Sequence, residues 1–241
     1  MAQRSVAAKP INGAPGLRRL YDYNNTPAMT LLQLDDIAKS YGRKQVLDGV
    51  TVGFPVGLTL LIGPSGAGKS TLLRLIATAE KPSSGRISWE GAALPGARGA
   101  LRRALGYAPQ AVDLPDDLTA REFAMHIAAL KGLDLAAADR QFATITEAIG
   151  LHPDINRRIS TYSGGMRRRL IFAQALLGTP KLLALDEPTS ELDGDTAHRL
   201  GELMLEYART AAVVMTTHLA DKLAPQAQVM LRVADGRVDY A

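Results

Sequence analysis

The stretch LTLLIGPSGAGKSTLLRLIATAE, Leu58 to Glu80, limits the possible folds of this chain more than any other. It opens as a continuous apolar run halted by glycine, the pattern of a parallel strand buried on both faces. It closes with helical spacing, placing Leu72, Leu73, Ile76 and Ala79 on one side. Between strand and helix, Gly63 to Thr71 fits G-x-x-x-x-G-K-[ST]. Glycines let successive backbone N–H groups curl around phosphate oxygens without Cβ clashes. Gly63, Pro64, Ser65, Gly66, Ala67 and Gly68 would form that cradle. Lys69 would reach the β- and γ-phosphates, Ser70 would hold Mg²⁺, and Thr71 completes the motif. The alternative is a tight turn with a chance lysine, which the flanking strand and helix disfavour.

The rest of the chain is consistent with that start. TLLQLDDIAKSYG, VLDGVTVGF and GRISWEG read as strands separated by turns. KLLALDE and AAVVMTTH read as further buried strands. Strands alternating with helices predict an α/β core around a parallel sheet. A mainly helical block from about 114 to 160 reads as an insertion. Its first helix starts at a Thr-x-x-Glu capping box, Thr119 to Glu122, and its second ends at a glycine stop. Residues 1 to about 28, rich in Ala, Pro, Gly and Asn, show no clear period and are expected to form a disordered extension, with Met29 as an alternative start.

Two strand ends carry further chemistry. LLALDE ends in Asp186 and Glu187, and open parallel sheets bind ligands beyond their C-terminal strand ends. Asp186 suits Mg²⁺, directly or through water. Glu187 suits polarisation of an attacking water. His218 ends AAVVMTTH similarly. Alone it would read as structural; within this set it is expected to contact the γ-phosphate or the attacking water.

TYSGGMRRRL, Thr161 to Leu170, looks wrong for a helix start. A helix N-terminus carries about half a positive charge, so three arginines in the first turn cost about 0.3–1 kcal/mol each when exposed. Free N–H groups there make an anion site. Gly164 and Gly165 permit close approach, and Ser163 can cap the helix or donate to phosphate. A phosphate-rich ligand would offset the cost of Arg167, Arg168 and Arg169; the alternative is a surface helix whose arginines point into solvent. A second phosphate cradle in one chain points to a composite site closed from two sides.

Composition removes several classes. There is no cysteine, which excludes disulfides, thiolate zinc sites and cysteine nucleophiles. His126, His152, His198 and His218 are scattered, without metal-ligand spacing. A net charge of +4 is too small to argue for nucleic acid, and none is expected as a partner. No apolar run is long enough to span a bilayer, and no secretory leader is readable, so a cytoplasmic location is expected.

The order of these motifs, glycine loop, Gln110, YSGGM, LLALDEP, SELD and His218, resembles the nucleotide-binding subunit of ABC transporters from about Leu31 onward. The resemblance implies a P-loop NTPase (RecA-like) core with an antiparallel β subdomain and the inserted α-helical subdomain, together spanning residues 29–241. It implies a head-to-tail dimer, homo- or heteromeric, that sandwiches two ATP molecules between the glycine loop of one subunit and the SGG of the other. Tyr41 sits where the family stacks an aromatic on adenine. Gln110 matches the glutamine that senses the γ-phosphate and shares Mg²⁺ with Ser70 and Asp186. Asp193 matches the aspartate that communicates across the dimer. The insertion would receive transmembrane permease subunits at the cytoplasmic face of the membrane. YSGGM in place of LSGGQ resembles ATPases of drug, lipid, polysaccharide or peptide exporters, and Glu191 stands where a small residue is commoner. The alternatives are a soluble ABC ATPase of the iron–sulfur assembly type and a regulatory nucleotide-binding module without turnover.

Overall fold

A computed structural model describes residues 30–241 of the protein, apart from residues 112, 191, 218 and 219. The expectations for residues 1–28, Glu191 and His218 therefore lie outside the described residues.

Two sheets organise the chain. The strands β1 (Thr30–Tyr41), β2 (Lys44–Pro55), β4 (Ser84–Trp89) and β5 (Ala92–Ala93) form an antiparallel sheet in the order β2-β1-β4-β5. The second sheet runs β10-β9-β3-β8-β7-β6. Its members are β3 (Gly57–Ile62), β6 (Leu105–Ala108), β7 (Leu182–Asp186), β8 (Ala212–Thr216), β9 (Val229–Ala234) and β10 (Arg237–Tyr240). All its pairings are parallel except the β9–β10 hairpin.

Every residue of β7 and β8 is buried, as a parallel strand covered on both faces requires. The period of two decides which layer each side chain joins. Leu182, Ala184, Ala212 and Val214 face one apolar cluster; Leu183, Leu185, Val213 and Met215 face the other. The first cluster also holds Leu72, Leu73, Leu75 and Ile76 of α1 (Lys69–Ile76) and Leu34, Phe54 and Trp89 of the antiparallel sheet. The helix after the glycine loop is thus packed between two sheets. The second cluster takes α5 (Gly164–Ala175), α6 (Gly194–Tyr207) and the pair α3 (Ala120–Lys131) and α4 (Leu135–Ala148).

Local signals explain most boundaries. Thr119 accepts from the Glu122 backbone N–H while the Glu122 carboxylate accepts from the Thr119 N–H, closing the capping box. Asp134 caps α4 by accepting from the Ala137 N–H at 2.8 Å. One helix is shorter than its spacing suggests: α1 ends at Ile76, so Ala79 lies beyond it. Thr78 adopts φ 52°, its N–H donating to the Leu75 carbonyl and that of Ala79 to the Arg74 carbonyl. Those are the two bonds of a Schellman stop, made here with threonine where glycine is usual. The short α2 (Arg98–Ala104) and α7 (Ala220–Leu223) complete the helices of four residues or more among the described residues.

Candidate functional site

The chain crosses from β3 into α1 through a loop that only glycine permits at Gly63. Its φ is 141°, and a Cβ there would sit 2.1 Å from the Val233 carbonyl oxygen. Gly66 and Gly68 also have positive φ, 76° and 108°. Gly68 is the residue before α1, and no side chain caps the helix start. The first-turn N–H groups are therefore left for an anion. Lys69 Nζ lies over the loop, donating to the Gly63 and Pro64 carbonyls at 2.8 and 2.9 Å. A concave loop holding an ammonium group in this way is built for phosphate oxygens.

Facing the loop are the ends of β7 and β8. In the parallel register Asp186 pairs with Thr216. Thr216 Oγ1 donates to Asp186 Oδ1 at 2.7 Å and accepts from the Glu187 N–H at 2.9 Å. One buried hydroxyl thus fixes both acidic residues. Glu187 is buried and takes φ 50°, a strained value for a non-glycine residue. Such strain, of order 1–3 kcal/mol, recurs at functional positions held by their surroundings. The Ser190 hydroxyl donates to the Glu187 carbonyl at 2.9 Å and holds the turn.

These elements border one open cleft of about 630 Å³. Its lining includes Tyr41, Lys44 and Val46, the loop residues Gly63, Ser65, Gly66 and Gly68 to Thr71, and Gln110, Asp186, Glu187 and Thr217. Pro64 and Ala67 belong to the loop without lining the cleft. Among the described residues no three His, Asp or Glu side chains converge as a metal site. Mg²⁺ is commonly held by one or two carboxylates plus phosphate oxygens and waters rather than by a protein cage. Ser70, Gln110 and Asp186 fit it as hydroxyl, amide and carboxylate donors.

Ser163, Gly164 and Gly165 do not line this cleft. They form the start of α5, where Ser163 accepts from the Met166 N–H at 3.3 Å and Gly164 is exposed. Asp193 is likewise away from the cleft, capping α6 by accepting from the Thr196 N–H and hydroxyl at 2.9 Å each. Those bonds, the backbone one first, hold its carboxyl below the usual carboxylate range.

The arginines after the glycines differ from the sequence expectation. Their N–H groups donate to oxygens of the protein itself. Arg167 pairs with Asp116 at 2.7 Å. Arg168 is buried and donates to the Gln110 carbonyl. Arg169 donates to the Gly150 carbonyl, just past α4, at 2.8 Å, with a longer contact to the Gly165 carbonyl at 3.3 Å. Gln174, one turn further along α5, donates to the Tyr107 carbonyl at 2.7 Å. The arginines therefore fasten α5 to the segment that carries Gln110 and to the end of α4.

Sequence reasoning missed Thr216, Lys44 and Val46. Thr216 was within reach, because a parallel pairing of two strands that end together sets Asp186 beside it. Lys44 and Val46 follow the turn after β1 and gave no signal of their own.

Residues 47–190 match the ABC transporter family. The Nod factor export ATP-binding protein I of Rhizobium etli is 33% identical over 215 residues, covering 88% of this chain and 66% of that protein. The daunorubicin/doxorubicin resistance ATP-binding protein of Streptomyces peucetius is 33% identical over 211 residues, covering 86% and 64%. The chain thus spans about two thirds of the length of these relatives. An ATP-binding subunit of an ABC transporter superposes with a TM-score of 0.81 at 29% identity, over 88% of this chain and 90% of that one. A dimeric post-hydrolysis cassette bound to ADP and Pi superposes at 0.78 with 25% identity, over 87% and 97%. Nothing in these likenesses supports the iron–sulfur assembly alternative. A P-loop NTPase fold, with the glycine loop and carboxylates where that fold puts its ligand, joins a family match over more than half the sequence: the chain belongs to the ABC transporter family.

Proposed function

We propose that this chain is the ATP-hydrolysing subunit of an exporting ABC transporter. It works as one of two ATPase subunits, bound to separate transmembrane permease subunits at the cytoplasmic face of the membrane. One observation carries the reading: the cleft gathers the glycine loop, Gln110, Asp186 and Glu187, while Ser163 to Gly165 present a second anion-accepting helix start elsewhere on the same chain. A second copy or a homologous subunit, turned head to tail, closes each cleft with its own Ser163 to Gly165. The dimeric cassette bound to ADP and Pi supports that arrangement. Relatives named for Nod factor export and drug resistance support an export direction. Among the described residues no helix is long and apolar enough to cross a membrane, so the permease is a separate requirement of this reading.

The residues divide the chemistry. Lys69 exchanges the Gly63 and Pro64 carbonyls for β- and γ-phosphate oxygens, so the ammonium keeps its acceptors while the two carbonyls are released. Backbone N–H groups of Gly66 to Thr71 take the remaining phosphate charge. Tyr41 stacks on the adenine. Ser70, Gln110 and Asp186 would hold Mg²⁺, which would stabilise the charge that develops on the phosphates. Glu187 orients the attacking water and takes its proton, and His218 contacts the γ-phosphate. Asp193 communicates between the two sites. Closure and reopening follow from the different affinities of the two states for ATP and ADP.

Phosphate release tests the assignment. Lys69→Ala is expected to lose nearly all turnover. Glu187→Gln is expected to bind ATP, stop at hydrolysis and elute as a dimer with ATP on a sizing column. Normal turnover in Lys69→Ala would overturn the cleft. An ATP-bound Glu187→Gln monomer would overturn the two-copy arrangement.

A further inference from the structure

Tyr41 is 42% exposed at the end of β1, yet its ring is not left loose. Its hydroxyl donates to Glu80 Oε2 at 2.5 Å and accepts from Arg74 at 3.3 Å. Lys39 Nζ sits 4.8 Å above the ring centroid. The same Glu80 carboxylate receives Lys39 Nζ at 2.9 Å and faces Arg74 Nε at 2.6 Å. Arg74 also donates to the Thr71 hydroxyl at 3.0 Å. Burial pushes the Glu80 carboxyl up, but the Tyr41 hydroxyl and Lys39 hydrogen bonds with the Arg74 and Lys39 charges outweigh it and hold it below the usual range.

We propose that Glu80, Arg74 and Lys39 are positioning residues that hold the Tyr41 ring ready for the nucleotide base, and that they tie the base end of the site to the helix at its phosphate end. This rests on the reading of the cleft as an ATP site.

The geometry gives three reasons. An exposed aromatic turns freely about its side-chain bonds, and immobilising it on binding costs affinity; here the hydroxyl is already fixed. A cation over one ring face leaves a stacking base only the other face, so the base has one approach. Arg74 lies on α1, whose start faces the phosphates, and Glu80 follows the Schellman stop of that helix. The Thr78 turn that shortens α1 therefore directs Glu80 towards β1. The ring is referenced to the same rigid element as the phosphate cradle, which fixes the distance between base and triphosphate subsites. Positioning on packed elements in this way is what keeps a binding site preorganised.

The test is steady-state ATP hydrolysis by Glu80→Gln, Tyr41→Phe and the double variant, with inorganic tripolyphosphate as a competitive inhibitor that lacks a base. Each single variant is expected to raise KM for ATP about three- to tenfold, with the loss falling on KM rather than kcat. The double variant is expected to be no worse than the worse single one, because both cut the same link. Tripolyphosphate inhibition is expected to stay at the wild-type value. An unchanged KM in both single variants, effects that multiply in the double variant, or an equal loss for tripolyphosphate would each overturn the proposal. If Glu80→Gln does not fold, Tyr41→Phe keeps every ion pair and carries the test. Tyr41→Ala separates the two readings: unchanged KM there, with Lys69→Ala inactive, refutes base stacking while the ATPase assignment stands.

Discussion

Three arginines near the start of α5, at its fourth to sixth positions, work against the helix dipole, and their partners predict how each should fail when removed. Arg168 is buried and donates to the Gln110 carbonyl. Replacing it by Met keeps much of the volume but removes a charged hydrogen bond and strands a carbonyl, a loss of about 2–3 kcal/mol. Arg169 serves the Gly150 carbonyl at 2.8 Å, and Arg169→Met should cost about 1–2 kcal/mol. Arg167 pairs with Asp116, whose side chain is 64% exposed, and such pairs contribute about 1 kcal/mol or less. For a domain of this size each kcal/mol shifts Tm by about 2–4 °C. Thermal unfolding of the nucleotide-free protein should therefore rank the losses as Arg168 above Arg169 above Arg167, at roughly 4–12 °C, 2–8 °C and under 4 °C. If the arginines faced a bound anion instead, the nucleotide-free protein would hardly notice them, and their removal would weaken ATP binding most at low salt. Three variants within a degree of wild type would refute the reasoning.

Three further outcomes are expected. Burial pushes the Lys131 ammonium down to about 8, where it donates to the Leu177 carbonyl at 2.7 Å. Between that value and the usual 10.5 the unfolded chain holds the proton and the folded one does not, so wild type should gain stability with rising pH, roughly 1–3 kcal/mol relative to Lys131→Met. Urea titrations at pH 7 and pH 10 check the difference, and parallel curves would refute it. Gly63→Ala should lower Tm by about 6 °C or more without any nucleotide, since φ 141° and the Val233 carbonyl both exclude a Cβ; an unchanged Tm would confine the glycine to phosphate contact. Tagged protein recovered from gently solubilised native membranes should bring a multi-span membrane protein in stoichiometric amount, and recovery with soluble partners alone would refute the transporter assignment.

Some of this was legible in the sequence and some was not, for separable reasons. The strand–glycine–helix unit at Leu58 to Ile76 could be read because three independent signals, apolar run, glycine spacing and helical period, agree on it. The capping box at Thr119 could be read because its two bonds are local, both between residues three apart. The end of α1 could not, because Thr78 takes a left-handed conformation that glycine would have advertised. Nor could β6, four residues whose place between α2 and the cleft depends on pairing with β7, far along the chain. The carboxylates at 186 and 187 stood out as a pair at a strand end, whereas the Thr216 hydroxyl that fixes them both needed the β7–β8 register as well.

The arginines are the most instructive case. Charge at a helix start implies an external anion when only the sequence is considered, since sequence shows the helix and its charges but not the carbonyl oxygens that distant loops bring to it. With the Arg167, Arg168 and Arg169 head groups engaged by Asp116, Gln110 and Gly150, the direct hydrogen-bond donors that the α5 start offers to phosphate are its backbone N–H groups and Ser163. The Ser163 hydroxyl accepts from Met166 in the cap, and a hydroxyl that accepts can still donate its own proton. Two roles that looked like alternatives in the sequence, cap and phosphate donor, are therefore compatible in one side chain. The arginines then act at a distance. Arg168 binds the helix whose start is proposed to meet a partner's nucleotide to the backbone of Gln110, which lines this chain's own cleft.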